Sequence, residues 1–279
     1  MNPQTEAIAA GLSFIEHHLC DPIYVGDIAN AAGYSLFHFI RTFNKIVRHT
    51  PYDYLIRRRL SHAARLLLDT DTRVLDIALA CQFDSHEGFT RAFGSLFGMP
   101  PTAWRHNQLP DRRCIMPAIG LEDLTFRQLP NLKPPELIEL DRYFLVGWMH
   151  FKKPDDYWED SAQDLFMKTM SVAPVPGAEK NLWKVRMLPT PQIQQEMVFL
   201  GVRVMETPYI ADRYVMRMIE GGGYLYFSHH RLLDHREAAI NFLYHTFLPK
   251  SGLLLSDPLE IEYYGNPPAI LLPVEQTTS

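Results

Sequence analysis

The side chains best suited to chemistry in this sequence come in two matched sets. Ile28-Ala29, Gly33-Tyr34-Ser35, Phe39, Arg41 and Phe43 form the first, and Ile77-Ala78, Phe83, Ser85, Phe89, Arg91 and Phe93 form the second. The Ile-Ala pair is displaced by 49 positions and the Ser, Phe, Arg and Phe of the second helix by 50, so the second copy has one extra residue in its turn. Each set reads as a short helix, a tight turn and a second helix whose phenylalanines at i and i+4 face inward. The outward residues of the first are then Leu36, Phe37, Ile40, Arg41 and Asn44, and those of the second His86, Glu87, Thr90 and Arg91. An outward arginine can bind guanine O6 and N7 as a pair, Phe37 and Ile40 suit thymine methyls, and Glu87 can accept from cytosine N4. A helix-turn-helix places its second helix in the major groove, so double-stranded DNA is the expected partner, read at two places. The plainer alternative is a set of solvated charges, with Glu87 and Arg91 pairing at i, i+4. Recurrence of the whole pattern in register favours the first reading.

The elements that must position these side chains are helical over residues 5–105. Ile8, Leu12, Ile15 and Leu19 mark a first amphipathic helix ended by Asp21-Pro22, and a second runs from Val25 to Ala32. Ser35 caps a third helix with Phe39, Phe43 and Val47 inward. Thr50-Pro51 opens a longer fourth, buried along Ile56, Leu60, Ala63 and Leu67. Asp71-Thr72 and Asp84-Ser85 cap the fifth and sixth, and Gly98 with Pro100-Pro101 stops the run just before Trp104-Arg105. Residues 106–119 lack periodicity and read as a linker, placed at 111–119 between domains of residues 1–110 and 120–279.

Composition bounds these readings. The chain has 279 residues, 47% apolar and 21% charged, the profile of a globular protein with room for two domains. No run of about 18 apolar residues predicts a membrane span, and no basic stretch followed by an apolar one predicts an export signal. Cys20, Cys81 and Cys114 are scattered, which fits a reducing cytoplasm and neither a disulfide framework nor a zinc cluster. The net charge of −5 is uneven: residues 1–110 hold 10 basic and 10 acidic side chains, and the rest hold 17 and 22. Phosphate contacts in a neutral domain must come from local clusters, of which Arg57-Arg58-Arg59 is the densest and Arg41, Lys45 and Arg48 another.

Beyond residue 119 the texture changes to strands at Tyr143–Phe151, Met197–Met205, Tyr214–Ile219, Gly223–Ser228, Leu259–Tyr264 and Ala269–Val274, interrupted by helices near Tyr157–Met170 and Asp234–Leu248. The order implies a duplicated α+β unit. Trp148, Trp158, Trp183, Tyr224, Tyr226, Tyr263 and Tyr264 offer aromatic surface for a flat or cationic ligand. Glu260 and Glu262 project to one side of their strand. A buried carboxylate beside these rings would select a cation; the alternative is core aromatics and solvated glutamates. His229-His230 with His235 lacks metal-ligand spacing, and no metal or cofactor is expected. The nucleophile elbow, the phosphate-binding loop and the dinucleotide fingerprint are all missing, and no catalytic residue is assigned.

The stretch CQFDSHEGFTRAFGSLFGMPPTAWR resembles the C-terminal signature of the AraC/XylS family of bacterial transcription regulators, through Phe83, Ser85, Phe89, Arg91, Phe93, Phe97, Gly98, Pro101 and Arg105. The upstream set resembles that family's first helix-turn-helix, and YLIRRRLSHAARLLL its linking helix. The resemblance covers residues 8–105 and implies two recognition helices on one DNA face, with base readout at Phe37, Ile40 and Arg41 and at His86, Glu87, Thr90 and Arg91. Gln82 stands where the family has Gly, and Gly94 where it commonly has Lys. Met218–Tyr224, the strand through His229, the helix Asp234–Leu248 and the two closing strands resemble the GyrI-like ligand-binding domain of the Rob-type subgroup. That resemblance implies a groove for hydrophobic, often cationic, small molecules. The family's frequent last-strand Glu falls at Ala269, with Glu262 as the available substitute.

The expectation is an all-α double helix-turn-helix domain followed by an α+β GyrI-like domain, in a cytoplasmic regulator that binds specific DNA and contacts RNA polymerase. Its effector would be a hydrophobic or cationic small molecule held by Trp148, Trp183, Tyr224, Tyr226, Glu262 and Tyr264. The alternatives are a small-molecule hydrolase in the second domain and a DNA-binding protein of low specificity without ligand.

Overall fold

The computed structural model describes residues 2–107, 112–151, 159–172, 175, 177–190, 195–205 and 212–276. By their contacts they form two compact units: Met1–Leu132 with His235–Lys250, and Lys133–Asp234 with Ser251–Ser279.

The first unit is helical. Helices α1 (Pro3–His17), α2 (Val25–Ala31) and α3 (Leu36–Val47) build one half, and α5 (Val74–Ala80), α6 (His86–Phe97) and α7 (Pro101–His106) the other. The 19-residue α4 (Pro51–Asp69) serves both. Its Tyr54 and Leu55 pack into a core around Phe39 and Phe43. Its Leu60, Ala63, Ala64 and Leu67 pack into another around Phe89, Phe93 and Trp104. Each fully buried ring contributes roughly 1.5–3 kcal/mol of burial, so each half holds its own recognition helix. Thr50 caps α4, with its hydroxyl accepting from Asp53 N at 3.0 Å. The fifth helix starts at Val74 behind Arg73, later than the expected Asp71-Thr72 cap. Trp104 does not lie beyond the helical run: it sits in α7, buried, with its indole N–H donating to Ala64 O.

The stretch expected to be a linker is packed where it is described. Ile115, Met116 and Ile119 are buried, and Met116 N and Ile119 N donate to Ser61 and Tyr54 hydroxyls. Its apolar residues lack a period because they fill separate gaps in the two helical cores. A short helix α8 (Leu121–Arg127) follows. The segment α10 (Arg236–Phe242), its π-helical continuation Leu243–Phe247 and α11 (Leu248–Ser251) packs here too. Phe242 meets Phe126 edge-on, Arg127 donates to Thr246 Oγ1 at 3.1 Å, and Lys250 donates to Arg48 O. Residues 120–132 and 235–250, expected within the second domain, are therefore compact with the helices.

The second unit is an antiparallel sheet of nine strands among the described residues, in the order β1-β6-β9-β8-β3-β4-β2-β5 with β7 added to β9. The strands are β1 (Glu136–Leu140), β2 (Tyr143–Phe151), β3 (Ala178–Met187), β4 (Met197–Val204), β5 (Val215–Ile219), β6 (Gly222–Ser228), β7 (Leu253–Leu255), β8 (Leu259–Tyr263) and β9 (Ala269–Gln276). The order is a duplication: β2-β4-β3 mirrors β6-β9-β8, the halves join at β3–β8, and each lends its first strand to the other's edge. Helix α9 (Glu159–Val172) covers one sheet face through Phe166, which lies among Val146, Leu200 and Val202. The other face carries Tyr143, Leu145, Trp183, Val185, Ile261 and Leu271. Gly147 and Gly201 stand opposite each other, and a Cβ on Gly147 would lie 1.9 Å from Leu200 O, so only glycine fits there.

Candidate functional site

Helix α3 buries Phe39, Thr42, Phe43, Ile46 and Val47. This leaves Phe37 86% exposed and Leu36 41% exposed, with Arg41, Asn44 and Lys45 also in solvent and Ile40 half-buried. A ring so exposed adds little to the core and is open to contact from outside. In α6, Phe89, Phe93 and Phe97 are buried, and His86, Glu87 and Arg91 are exposed. The Ser85 hydroxyl accepts from Gly88 N at 3.0 Å and fixes where the helix begins. Thr90 departs from the outward set: it is half-buried, and its hydroxyl is buried without a partner among the described residues. Among the described residues Glu87 and Arg91 form no ion pair, and the i, i+4 alternative finds no support in the geometry. Among the described residues, Arg41, Asn44, Glu87 and Arg91 thus present polar groups without partners on two helix faces of one unit.

The densest basic cluster does other work. Arg58 is buried, paired with Glu16 at 2.7 Å and donating to Met116 O. Arg59 is buried and donates to Leu19 O and Asp21 O. Arg57 pairs with Asp53 at 3.0 Å, and Arg105 donates to Leu67 O and Thr72 O. Arg58, Arg59 and Arg105 thus satisfy main-chain carbonyls that need donors, and Arg57 a carboxylate on its own helix. Of the two basic clusters expected to meet phosphates, Arg41, Lys45 and Arg48 are the exposed one.

In the sheet unit a cavity of about 330 Å³ is lined by Ile138, Glu139, Leu140, Asp141, Tyr143, Trp183, Arg203, Tyr226, Tyr263 and Leu271. Of the six residues expected to hold a ligand, Trp183 and Tyr226 line it. Tyr224 lies in the same cluster, its hydroxyl donating to Glu220 O at 2.7 Å. Trp148, Glu262 and Tyr264 are on the opposite face, where Trp148 packs edge-on against Phe166. There Glu262 is 1% exposed, 3.8 Å from Lys184 Nζ, and accepts from Tyr264 Oη at 2.9 Å. Glu262 is neither solvated nor free for a ligand cation: Lys184 and Tyr264 occupy it. Trp158 lies outside the described residues. Tyr143, Arg203 and Tyr263 also line the cavity. Their common side follows from strand register, with Tyr263 opposite Trp183 and Arg203 opposite Leu145. Burial pushes the Tyr143 and Tyr224 phenols above their ordinary range. Among the described residues no cluster of three or more metal-ligating side chains occurs, and no helix is long and apolar enough to cross a membrane.

A family profile described as a helix-turn-helix domain matches residues 28–107. The chain is 38% identical over 102 residues to the HTH-type transcriptional activator AarP of Providencia stuartii, covering 37% of this chain and 76% of that one. It is 27% identical over 260 residues to the right origin-binding protein of Escherichia coli (strain K12), covering 91% of this chain and 88% of that one. Its 45% identity over 100 residues to the uncharacterized HTH-type transcriptional regulator YbfP of Bacillus subtilis (strain 168) covers 36% of this chain and 34% of that relative's length. A doubled helix-turn-helix with both recognition faces open, in a chain this similar to such regulators, leads to one conclusion: the chain belongs to the AraC/XylS family of helix-turn-helix transcription regulators.

Proposed function

We propose that residues 1–110 read two major-groove segments of one DNA site, α3 through Phe37, Ile40, Arg41 and Asn44 and α6 through His86, Glu87 and Arg91. The sheet built from residues 133–234 and 251–279, within the expected 120–279 domain, holds a small-molecule effector. The observation that carries this reading is the pair of unoccupied outer faces on α3 and α6, each backed by its own buried phenylalanine core. Arg41 and Arg91 donate to guanine, Phe37 packs on thymine methyls, and Glu87 accepts from cytosine. Because both readers belong to one chain, a single copy suffices for a bipartite site. The effector acts by favouring one conformation over another and so changes DNA affinity or contact with RNA polymerase. The test is selection of bound fragments from sheared genomic DNA at physiological salt, followed by sequencing. Two short enriched blocks about one helical turn apart are the expected result. Retention of fragments without any enriched sequence would show phosphate-driven binding instead.

A further inference from the structure

The sheet face that carries the cavity buries polar atoms of one kind. Tyr143 Oη, Trp183 Nε1, Arg203 Nε and Arg217 Nε are each buried without a hydrogen-bond partner among the described residues. All four can donate, and three can do nothing else. Leu145 stands opposite Arg203 on β4 and Arg217 on β5, so the two guanidiniums flank one position, two residues from Tyr143. The Arg203 guanidinium lies 4.7 Å from the Tyr143 ring centroid. Its Nε forms a loose ion pair with the half-exposed Glu179 carboxylate at 3.9 Å, a separation that leaves the N–H without a hydrogen bond.

Among the described residues no acid accepts a hydrogen bond from these donor atoms. Glu139 and Asp141 at the cavity are exposed to water, as is Asp257, whose charge acts on Arg217. The buried Glu260 and Glu262 are taken by Arg186 and Lys184. Ala269, in register with Tyr263 and through it with Trp183, is fully buried and apolar. A buried donor lacking an acceptor is costly, and a buried guanidinium more so. A ligand gains most by supplying what this face lacks. Burial also lowers Arg217 from its ordinary value, the direction expected of a cation short of counter-charge.

We infer that the cavity takes a hydrophobic or aromatic anion rather than a cation. Its carboxylate or other oxyanion accepts from Arg203 and from Tyr143 or Trp183, while its apolar body lies against Ile138 and Leu271. This inference rests on the sheet unit being the sensing unit.

The test is calorimetric titration of the full chain with three probes sharing one ring system: 2-naphthoate, 2-naphthalenemethanol and 2-naphthylmethylammonium. Naphthoate is expected to bind at least about tenfold more tightly than the ammonium, with the alcohol between. Arg203→Met should abolish that preference, and Arg217→Met should reduce it less, in variants whose melting shows them folded. Ammonium binding equal to or tighter than naphthoate binding would overturn the inference and leave the sensing unit standing. So would a preference that survives Arg203→Met in a folded variant. Absence of binding by all three at millimolar concentration would overturn the sensing reading itself. The wild-type ranking decides the charge class even if a variant fails to fold.

Discussion

The two helix-turn-helix units solve the same turn differently. Gly33 at φ 70° and Gln82 at φ 63° both occupy the left-handed region. Tyr34 N donates to Ala29 O, and Phe83 N donates to Ala78 O, each at 3.0 Å. The turns therefore correspond through Tyr34 and Phe83, and the extra residue of the second copy is Asp84, placed before the Ser85 cap. A left-handed conformation costs a residue with a side chain roughly 1–2 kcal/mol. Glycine escapes that cost. Gln82 offsets it by donating from its amide to Cys20 O at 2.6 Å, which ties the second turn to the loop after α1. The outer faces differ as well. Exposed Phe37, Arg41, Lys45 and Arg48 make the first apolar and basic, whereas His86, Glu87 and Arg91 make the second polar and mixed in charge. Under the proposed readout, most of the phosphate attraction falls to the first unit, and discrimination by hydrogen bonding is shared by both.

The largest effect separates arginines that fold the unit from those proposed to read DNA. Arg58→Ala leaves Glu16 without its cation and should lower stability by roughly 3–5 kcal/mol, read as a shift in the urea midpoint. Arg41→Ala should leave that midpoint within about 0.5 kcal/mol. Equal shifts for the two would dissolve the distinction.

A second effect is acid sensitivity confined to one side. His49 and His245 are buried beside the first unit, and burial lowers both, His245 to about 3. His49 Nδ1 is 2.7 Å from Asp53, and Arg57, Arg127 and Lys250 stand nearby. A lowered histidine stays neutral in the fold while the unfolded chain takes up a proton near 6.5. Its stability contribution is therefore present above that value and is lost as pH falls below it. Asp53, held below its ordinary value chiefly by the His49 hydrogen bond against the opposing effect of burial, loses its contribution only in stronger acid. Amide exchange at pH 7 and pH 5 should show residues 36–55 losing protection before residues 86–97. Simultaneous loss in both would contradict this asymmetry.

Much of the helical unit is written in its periodicity: Phe39, Phe43, Phe89 and Phe93 fall inward at helical spacing, and the outward residues follow. The fate of Arg57–Arg59 is not, because Glu16, Met116 and Leu19 reach α4 only after folding. Strand β3 escapes a hydropathy reading because Lys184 and Arg186 interrupt it, and both are neutralised by acids: Glu262 for Lys184, Glu260 and Glu196 for Arg186. The cavity is least visible of all. Whether Trp183 or Trp148 faces it depends on strand register, where a shift of one residue exchanges the faces.

The account stands on base readout by two helices. The decisive measurement is to determine the selected DNA motif for the wild-type chain, Arg41→Ala and Arg91→Ala at one salt concentration. Each variant should lose about 1–3 kcal/mol on the best site and relax one block of the motif while sparing the other. Uniform weakening on all sequences, with both blocks intact, would reduce these arginines to phosphate contacts and contradict the proposed readout.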